Sequence, residues 1–410
     1  ARALPECDES VVQQALASHR ELLTTAGTTP KQILTEARQF AKEWAQKCAL
    51  QISFNGLPPV KEAACLERTL RQGGLIAEVV KLTKQCSILP PDSTRHGLGE
   101  ASKKSRPFET LLRKVRGEDR PGNRPEQVVP ADPTNVSYHA RVVGVKERGY
   151  KCRVVTAHSA ATVGLLHYVG NGLRSALSRD PRVADVLAGN HQEAVVNAFR
   201  GGADPRCVIL SADLRSATDT FHRDFCEALM DGLLFALELP PELHDLFVRL
   251  ATGPYTLIYG PMDTSTTERG ILMGLPTTWP LLCIANLFWL TKARRDRDRG
   301  ELRETQQGPD FLFGGTEHPS VSSVTRSRKQ GTCICGDDLL AVVLRDVADR
   351  YEQIAQQCGA MFSPGKHLRS RYFGIFTEEM FFARLQTMKA CQQKAVKRMV
   401  TVKRDSTYAN

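Results

Sequence analysis

Two pairs of acidic residues are placed where they could do chemistry together. Asp213 and Asp219 stand six residues apart in Leu210-Ser211-Ala212-Asp213-Leu214-Arg215-Ser216-Ala217-Thr218-Asp219, and Asp337 and Asp338 are adjacent in Gly336-Asp337-Asp338. The first pair begins at the end of an apolar run of strand length and finishes where a helix begins, which projects both carboxylates near one edge of a sheet. The second pair lies at a tight turn, where adjacent like charges repel unless a cation sits beside them. A divalent ion would resolve that repulsion. Taken singly, each motif has a plainer explanation: Asp after a strand forms turns or caps helices, and Gly-Asp is a favoured hairpin dipeptide.

Between the two pairs runs Arg269-Gly270-Ile271-Leu272-Met273-Gly274-Leu275-Pro276-Thr277-Thr278-Trp279-Pro280. A glycine loop leads here into an apolar helix, with Thr278 as the expected cap and Pro280 tolerated in the first turn. Gly274 would let backbone approach a ligand closely, and amides at the helix start favour phosphate or hydroxyl oxygens. An ordinary helix cap explains the same residues. Upstream, Arg141, Lys146, Arg148, Lys151 and Arg153 crowd together, and Lys151-Cys152-Arg153-Val154-Val155 alternates like a strand. Lys151 and Arg153 therefore share a face, where a point charge and a planar fork suit a triphosphate. A solvated charged strand is the alternative.

These residues need a scaffold, and the patterning suggests an α+β one. Residues 11–86 carry helix-like stripes such as Ile33, Ala37, Phe40, Ala41 and Trp44. From 90 to about 135 the chain is rich in Pro, Gly, Ser and charge, as expected of long loops around one short helix. Beyond Arg141, short β-type runs alternate with amphipathic helices, the pattern of a sheet packed against helices. After Asp219, the spacing of Phe221, Phe225, Leu229, Leu233 and Leu237 predicts a core-facing helix. Residues 332–344 read as two strands joined at Gly336-Asp337-Asp338, and 346–358 as a helix. Residues 294–331, charged or rich in Gly and Ser, read as an exposed insertion.

Bulk properties narrow the class. The 410 residues allow two or three domains, and 55 Lys and Arg against 45 Asp and Glu leave a net charge of +10, which suits a polyanionic partner. The longest apolar stretch, from Leu281 to Leu290, is about half of what a bilayer-spanning helix requires, and no secretion signal opens the chain, so it is expected inside a cell. Twelve cysteines without paired spacing support neither a disulfide framework nor a zinc ribbon; Cys333 and Cys335 fit a strand. The chain begins at Ala1 and ends in a polar run, as expected of a fragment.

In order, a basic Lys-x-Arg strand, an Asp-x5-Asp, a Gly-x3-Thr helix start, a Gly-Asp-Asp turn and a later lysine resemble the motifs of viral RNA-dependent RNA polymerases. The wording Ser-Ala-Asp-Leu-Arg-Ser-Ala-Thr-Asp and Met-Gly-Leu-Pro-Thr-Thr-Trp-Pro-Leu-Leu is similar to narnaviruses and their ourmia-like relatives, over about residues 141–385. The resemblance implies a positive-strand RNA virus enzyme shaped as a right hand. Residues 1–135 would form an N-terminal region and outer fingers, 136–200 fingers with the basic motif, 201–385 an antiparallel palm, and 386–410 the start of a thumb otherwise largely absent. It further implies two Mg²⁺ or Mn²⁺ ions on Asp213 and Asp337 with Asp338 assisting, triphosphate on Lys151 and Arg153, and the ribose at Asp219, with Gly274, Thr277 and Thr278 beside the nucleotide. Lys366 resembles the lysine that protonates pyrophosphate, with a surface lysine as alternative, and residues 373–379 resemble the segment that grips the growing strand. Implied partners are RNA template and product strands and ribonucleoside triphosphates. The host cytoplasm is preferred to the mitochondrion because mitovirus wording differs at the glycine loop. The pattern departs from the wider family at Leu282, where an Asn is usual four residues after the motif threonine; Asn286 lies a turn further on. A reverse transcriptase shares the palm and metal aspartates, and a silent basic RNA-binding protein is the rival outside enzymes.

Overall fold

In the computed structural model, residues 5–53, 63–78, 81, 138–199, 206–300, 331–382 and 391–394 are described. The expected loops at 90–135 and nearly all of 386–410 lie outside them. The described chain mixes helices with three sheets.

The central sheet has the order β6-β7-β3-β8, formed by β3 (Cys207–Ala212), β6 (Thr332–Cys335), β7 (Asp338–Leu344) and β8 (Leu368–Ser370), all antiparallel. The inner strands β3 and β7 read as nearly continuous apolar runs because both of their faces are covered. Val208, Leu210, Ala212, Leu339, Ala341 and Val343 enter the main core, while Ile209, Leu340 and Cys333 face a smaller core with Val195, Phe376 and Phe381. Cys333 and Cys335 lie on β6, as their spacing suggested.

A second sheet, β2-β1-β4-β5, joins the hairpin of β1 (His139–Glu147) and β2 (Lys151–His158) to β4 (Thr256–Gly260) and β5 (Asp263–Thr266). β4 runs parallel to β1, so chain from beyond residue 206 returns to complete the sheet that carries the basic motif. A third sheet is made by β9 (Phe373–Phe376), β10 (Glu379–Phe382) and β11 (Cys391–Lys394).

The principal helices are α1 (Glu9–Thr24), α2 (Lys31–Lys47), α3 (Ala160–Leu177), α4 (His191–Phe199), α5 (Arg223–Phe235), α6 (Pro241–Thr252), α7 (Thr278–Asp298) and α8 (Arg345–Gln357). In α2 the sequence stripe Ile33, Ala37, Phe40, Ala41 and Trp44 is buried against α5, where Gly232 permits close approach: a Cβ there would lie 2.2 Å from the Arg38 carbonyl oxygen. α7 is apolar on every side through Leu290 and is sunk in the core, as such a helix must be. Its Trp289 stacks on Phe225 at 5.8 Å and meets Phe221 and Tyr351 edge-on at 5.2 and 6.1 Å. Each such pair adds about 0.5–1.5 kcal/mol beyond area burial, and truncating Trp289 to Ala would lose about 3–5 kcal/mol.

Two expectations change. The helix after Asp219 starts only at Arg223 and stops at Phe235, because Phe221 is held in an extended link before it and Glu238 takes a left-handed φ of 51° ahead of Pro240. The stretch expected to be an exposed insertion, 294–331, is met by ordered elements at both ends. Arg294 to Asp298 continue α7, fastened by Asp296 to Arg350 at 2.7 Å and Arg297 to Asp346 at 2.7 Å, and Gly331 accepts from the Val342 N–H at 2.6 Å. Residues 301–330 lie outside the described part.

Candidate active site

The register of the central sheet brings the two acidic motifs together. Ala212 pairs with Leu339, and the next positions outward are Asp213, just past the end of β3, and Asp338, the first residue of β7. Cys335 pairs with Asp338, which leaves Gly336 and Asp337 as a two-residue turn, with Gly336 at a φ of +65°. That left-handed position suits glycine, and a Cβ there would come within 2.8 Å of Trp279 Nε1. The backbone around Asp213 is fixed from the other side. Arg215 N–H donates to Met361 O at 2.7 Å and Ser363 N–H to Asp213 O at 2.9 Å, so the segment leading to Lys366 is clamped beside the acidic edge. Lys366 Nζ then stands 3.4 Å from Asp213 Oδ2. The lysine is 62 % exposed, so the pair adds at most about 1 kcal/mol to stability and stays free to exchange partners.

The three carboxylates act on one another. Burial raises the pKa of Asp338, and the charges of Asp337 and Asp213 raise it further, to about 7, against the opposing Lys366. Asp337 is raised by burial and by Asp213, opposed by a backbone hydrogen bond, Lys366 and Arg153. Among the described residues no three His, Cys, Asp or Glu side chains already form a metal cage. The residue types still suit a hard divalent cation: three carboxylates whose mutual repulsion an ion would relieve.

The basic strand reaches the same edge. Lys151 and Arg153 are exposed on β2, and Arg153 pairs with Glu147 at 3.0 Å. Its field reaches Asp337 and opposes the upward shift of that carboxyl. Lys151 sits one alternate position farther out, opposite Glu147.

Asp219 lies in a short turn of helix, Ala217–Thr220, entered through Ser216 at a φ of 47°. Thr218 Oγ1 donates to Asp219 Oδ1 at 2.8 Å, and burial pushes the Asp219 carboxyl up to about 6. The glycine loop packs against this turn: Ile271 N–H donates to Thr218 O and Gly270 N–H to Phe221 O, both at 2.7 Å. Gly274 has a structural reason for its residue type, since a Cβ would meet Thr156 O of β2 at 2.3 Å. The expected cap is displaced by one residue. Thr277 occupies the cap position without a capping bond, and Thr278 opens the helix and spends its hydroxyl on Leu272 O at 2.8 Å. Thr277 is fully buried and its hydroxyl has no hydrogen-bond partner among the described residues.

Sequence reasoning missed the groups that hold the turn. Asn286, fully buried on α7, donates from Nδ2 to Gly336 O at 2.9 Å and accepts from the Tyr351 hydroxyl at 2.6 Å. Gly336 N–H donates to Cys283 Sγ at 3.2 Å. A lone Asn inside the run from Leu281 to Leu290 was the available signal, because a buried amide demands partners. Leu282, at the usual Asn position, is packed in the core. Beyond Lys366, residues 373–379 form β9 and a tight turn whose Thr377 and Glu378 both have positive φ, and Ile375 N–H donates to Ser211 Oγ at 2.8 Å, tying β9 to β3.

No family model matches the chain. Among curated proteins it is 36 % identical over 405 residues to the RNA-directed RNA polymerase of Saccharomyces 23S RNA narnavirus, covering 95 % of this chain and 39 % of that protein. It is 31 % identical over 411 aligned positions to the RNA-directed RNA polymerase of Saccharomyces 20S RNA narnavirus, covering 96 % and 43 %. The chain thus spans about two fifths of the length of these curated relatives. Among solved structures, the RNA-dependent RNA polymerase of a human picorbirnavirus is similar at a TM-score of 0.52 and 14 % identity, covering 93 % of this chain and 63 % of that one. An insertion-loop deletion mutant of the same enzyme gives 0.50 at 14 % identity, covering 92 % and 64 %. At that identity the likeness is one of fold.

Proposed function

This chain is a homologue of the narnavirus RNA-directed RNA polymerases, and on that premise we propose that it catalyses template-directed ribonucleotidyl transfer on RNA, releasing pyrophosphate. The carrying observation is the meeting of Asp213, Asp337 and Asp338 at one sheet edge, with the Lys366 ammonium beside them. In this reading residues 201–385 are the palm of a positive-strand RNA virus replicase, 136–200 belong to the fingers and 386–410 open the thumb.

Two Mg²⁺ or Mn²⁺ ions, held by Asp213 and Asp337 with Asp338 assisting, would supply activation of the attacking 3′-hydroxyl and neutralise charge on the leaving pyrophosphate. The protein's own groups do the rest. Arg153, and Lys151 farther along β2, hold the triphosphate in line for displacement, where positioning and charge account for most of the acceleration. Lys366 gives its proton to the leaving pyrophosphate. Asp219 accepts from the ribose 2′-hydroxyl, a group that distinguishes a ribonucleotide from its deoxy counterpart. Thr277, whose buried hydroxyl is unpartnered, is better placed to assist than Thr278, whose hydroxyl is engaged. Among the described residues no helix is long and apolar enough to cross a membrane.

The test is primer extension on a homopolymeric RNA template in Mg²⁺ or Mn²⁺. Asp213→Asn and Asp337→Asn should abolish incorporation while RNA binding persists, because phosphate contacts by Lys and Arg carry most of the affinity. Substantial synthesis by either variant in Mg²⁺ overturns the assignment.

A further inference from the structure

We infer that Asn286, oriented by Tyr351, is a positioning residue that sets the Gly336-Asp337 turn for metal binding. The inference rests on the polymerase reading of the acidic edge and assigns a task to a residue outside it.

Trp279, Cys283 and Asn286 are spaced by four and three residues, so they form one stripe along α7. Each touches Gly336. The Trp279 indole lies against the place where a Cβ would be, Cys283 Sγ accepts from the N–H, and Asn286 Nδ2 donates to the carbonyl at 2.9 Å. Both polar backbone groups of Gly336 are therefore bound, and its Cα has no room to shift toward α7. The peptide plane that leads into Asp337 is set by the helix, and with it the direction of the Asp337 side chain.

The amide of Asn286 has one workable orientation. Gly336 O can only accept, so Nδ2 must face it, and Oδ1 is left to accept from the Tyr351 hydroxyl at 2.6 Å. Tyr351 is itself fully buried on α8, so the pair ties two core helices to the turn away from water, where hydrogen bonds are strong and an unmade one is costly. With its amide engaged at both ends, by Gly336 O and by the Tyr351 hydroxyl, Asn286 has a task separate from ribose recognition.

The experiment measures Mn²⁺ binding to the whole chain by electron paramagnetic resonance, beside single-nucleotide incorporation. Groups that orient metal ligands typically account for 10–100-fold in affinity. Asn286→Ala should weaken Mn²⁺ binding by about tenfold and lower kcat while the nucleotide KM and the preference for ribose stay unchanged. Tyr351→Phe keeps the ring and loses only the hydroxyl, so it should weaken binding less, and the double variant should match Asn286→Ala alone. A residue that merely supports the fold would lower the melting temperature and leave the Mn²⁺ Kd of the folded protein unaltered. Wild-type Mn²⁺ affinity in folded Asn286→Ala overturns the inference; should that variant not fold, wild-type affinity in Tyr351→Phe does so alone. Asp337→Ala separates the two levels. If it binds Mn²⁺ like wild type, the metal-carboxylate reading fails and this inference with it. If it loses binding while Asn286→Ala and Tyr351→Phe do not, only the positioning role fails.

Discussion

Replacing Asp219 by Asn should stabilise the protein at neutral pH while harming its choice of sugar. The carboxyl is pushed from 3.8 up to about 6 by burial, against the lowering effect of the Thr218 hydroxyl. Between about pH 4 and pH 6 the folded state keeps a proton that the unfolded state gives up, so wild-type stability falls as pH rises through that window and is flat above it. A shift of about two units corresponds to about 3 kcal/mol as a ceiling, and relaxation around the charge brings the expected effect to about 1–3 kcal/mol. Asn keeps the shape and an oxygen for Thr218, and it never ionises. With an unfolding entropy of about 2.1 cal/mol/K per residue, a chain of 410 residues converts that gain to about 1–4 °C in Tm. The assay is thermal unfolding without nucleotide from pH 4 to pH 8, with Asp219→Asn expected to gain at pH 7 and to match wild type at pH 4. No gain at pH 7, or an equal gain at both ends, would refute the reasoning. The companion measurement is kcat/KM for matched ribo- and deoxynucleotides, where Asp219→Asn and Asp219→Ala should both lower the preference for ribose.

Arg153→Ala should raise the nucleotide KM and slow incorporation, since the guanidinium meets charge before and during transfer; an unchanged KM in steady-state extension would remove it from the triphosphate site. Lys366→Leu should slow the chemical step with little change in nucleotide affinity, and single-turnover rates equal to wild type would reject its role as proton donor. Asp296→Ala should destabilise by about 3–5 kcal/mol in denaturant unfolding, because it strips a partner from Lys292, which is 4 % exposed, and from Arg350 together. A loss below about 1 kcal/mol would mean that Glu36 alone satisfies the buried ammonium.

Much of this architecture was legible because residue type and period agreed. β3 and the β6–β7 hairpin were readable from apolar runs bounded by Asp and Gly, and α2 from a stripe at intervals of three and four. The meeting of Asp213 with Asp338 required only that the two runs pair in register, which their length and shared burial favour. Other features depended on tertiary partners that a pattern does not contain. The glycine at 274 looked like a ligand-facing device and is explained by the Thr156 carbonyl across the loop. Thr278 looked like a cap, but Leu272 O captures its hydroxyl and the helix opens one residue earlier than a cap there would allow. The charge of 294–298 suggested solvent, whereas Asp296 and Arg297 find counter-ions on α8.

The N-terminal helices show most clearly why the remainder could not be read. Residues 25–29, which link α1 to α2, carry no catalytic side chain, yet they fasten the two segments that flank Asp219. The Arg269 guanidinium donates to Thr25 O at 2.6 Å and Ala26 O at 3.1 Å, and Glu268 N–H donates to Leu23 O at 2.7 Å. Thr29 N–H donates to Asp224 Oδ2 at 2.9 Å, and its hydroxyl meets His222 Nδ1 at 3.1 Å. Gly27 fits where a Cβ would strike the His222 ring at 2.4 Å. Four of these contacts use a main-chain group of the link or its approach, which nearly any residue supplies, so neither composition nor spacing marks them. One elbow thereby holds the chain that follows the Asp219 turn, at His222 and Asp224 through Thr29, and the loop packed on that turn, at 268–269 through Leu23, Thr25 and Ala26. Chemistry is written in side-chain types and can be read from them, whereas the geometry that makes it productive is written here largely in carbonyls and amides that every sequence shares.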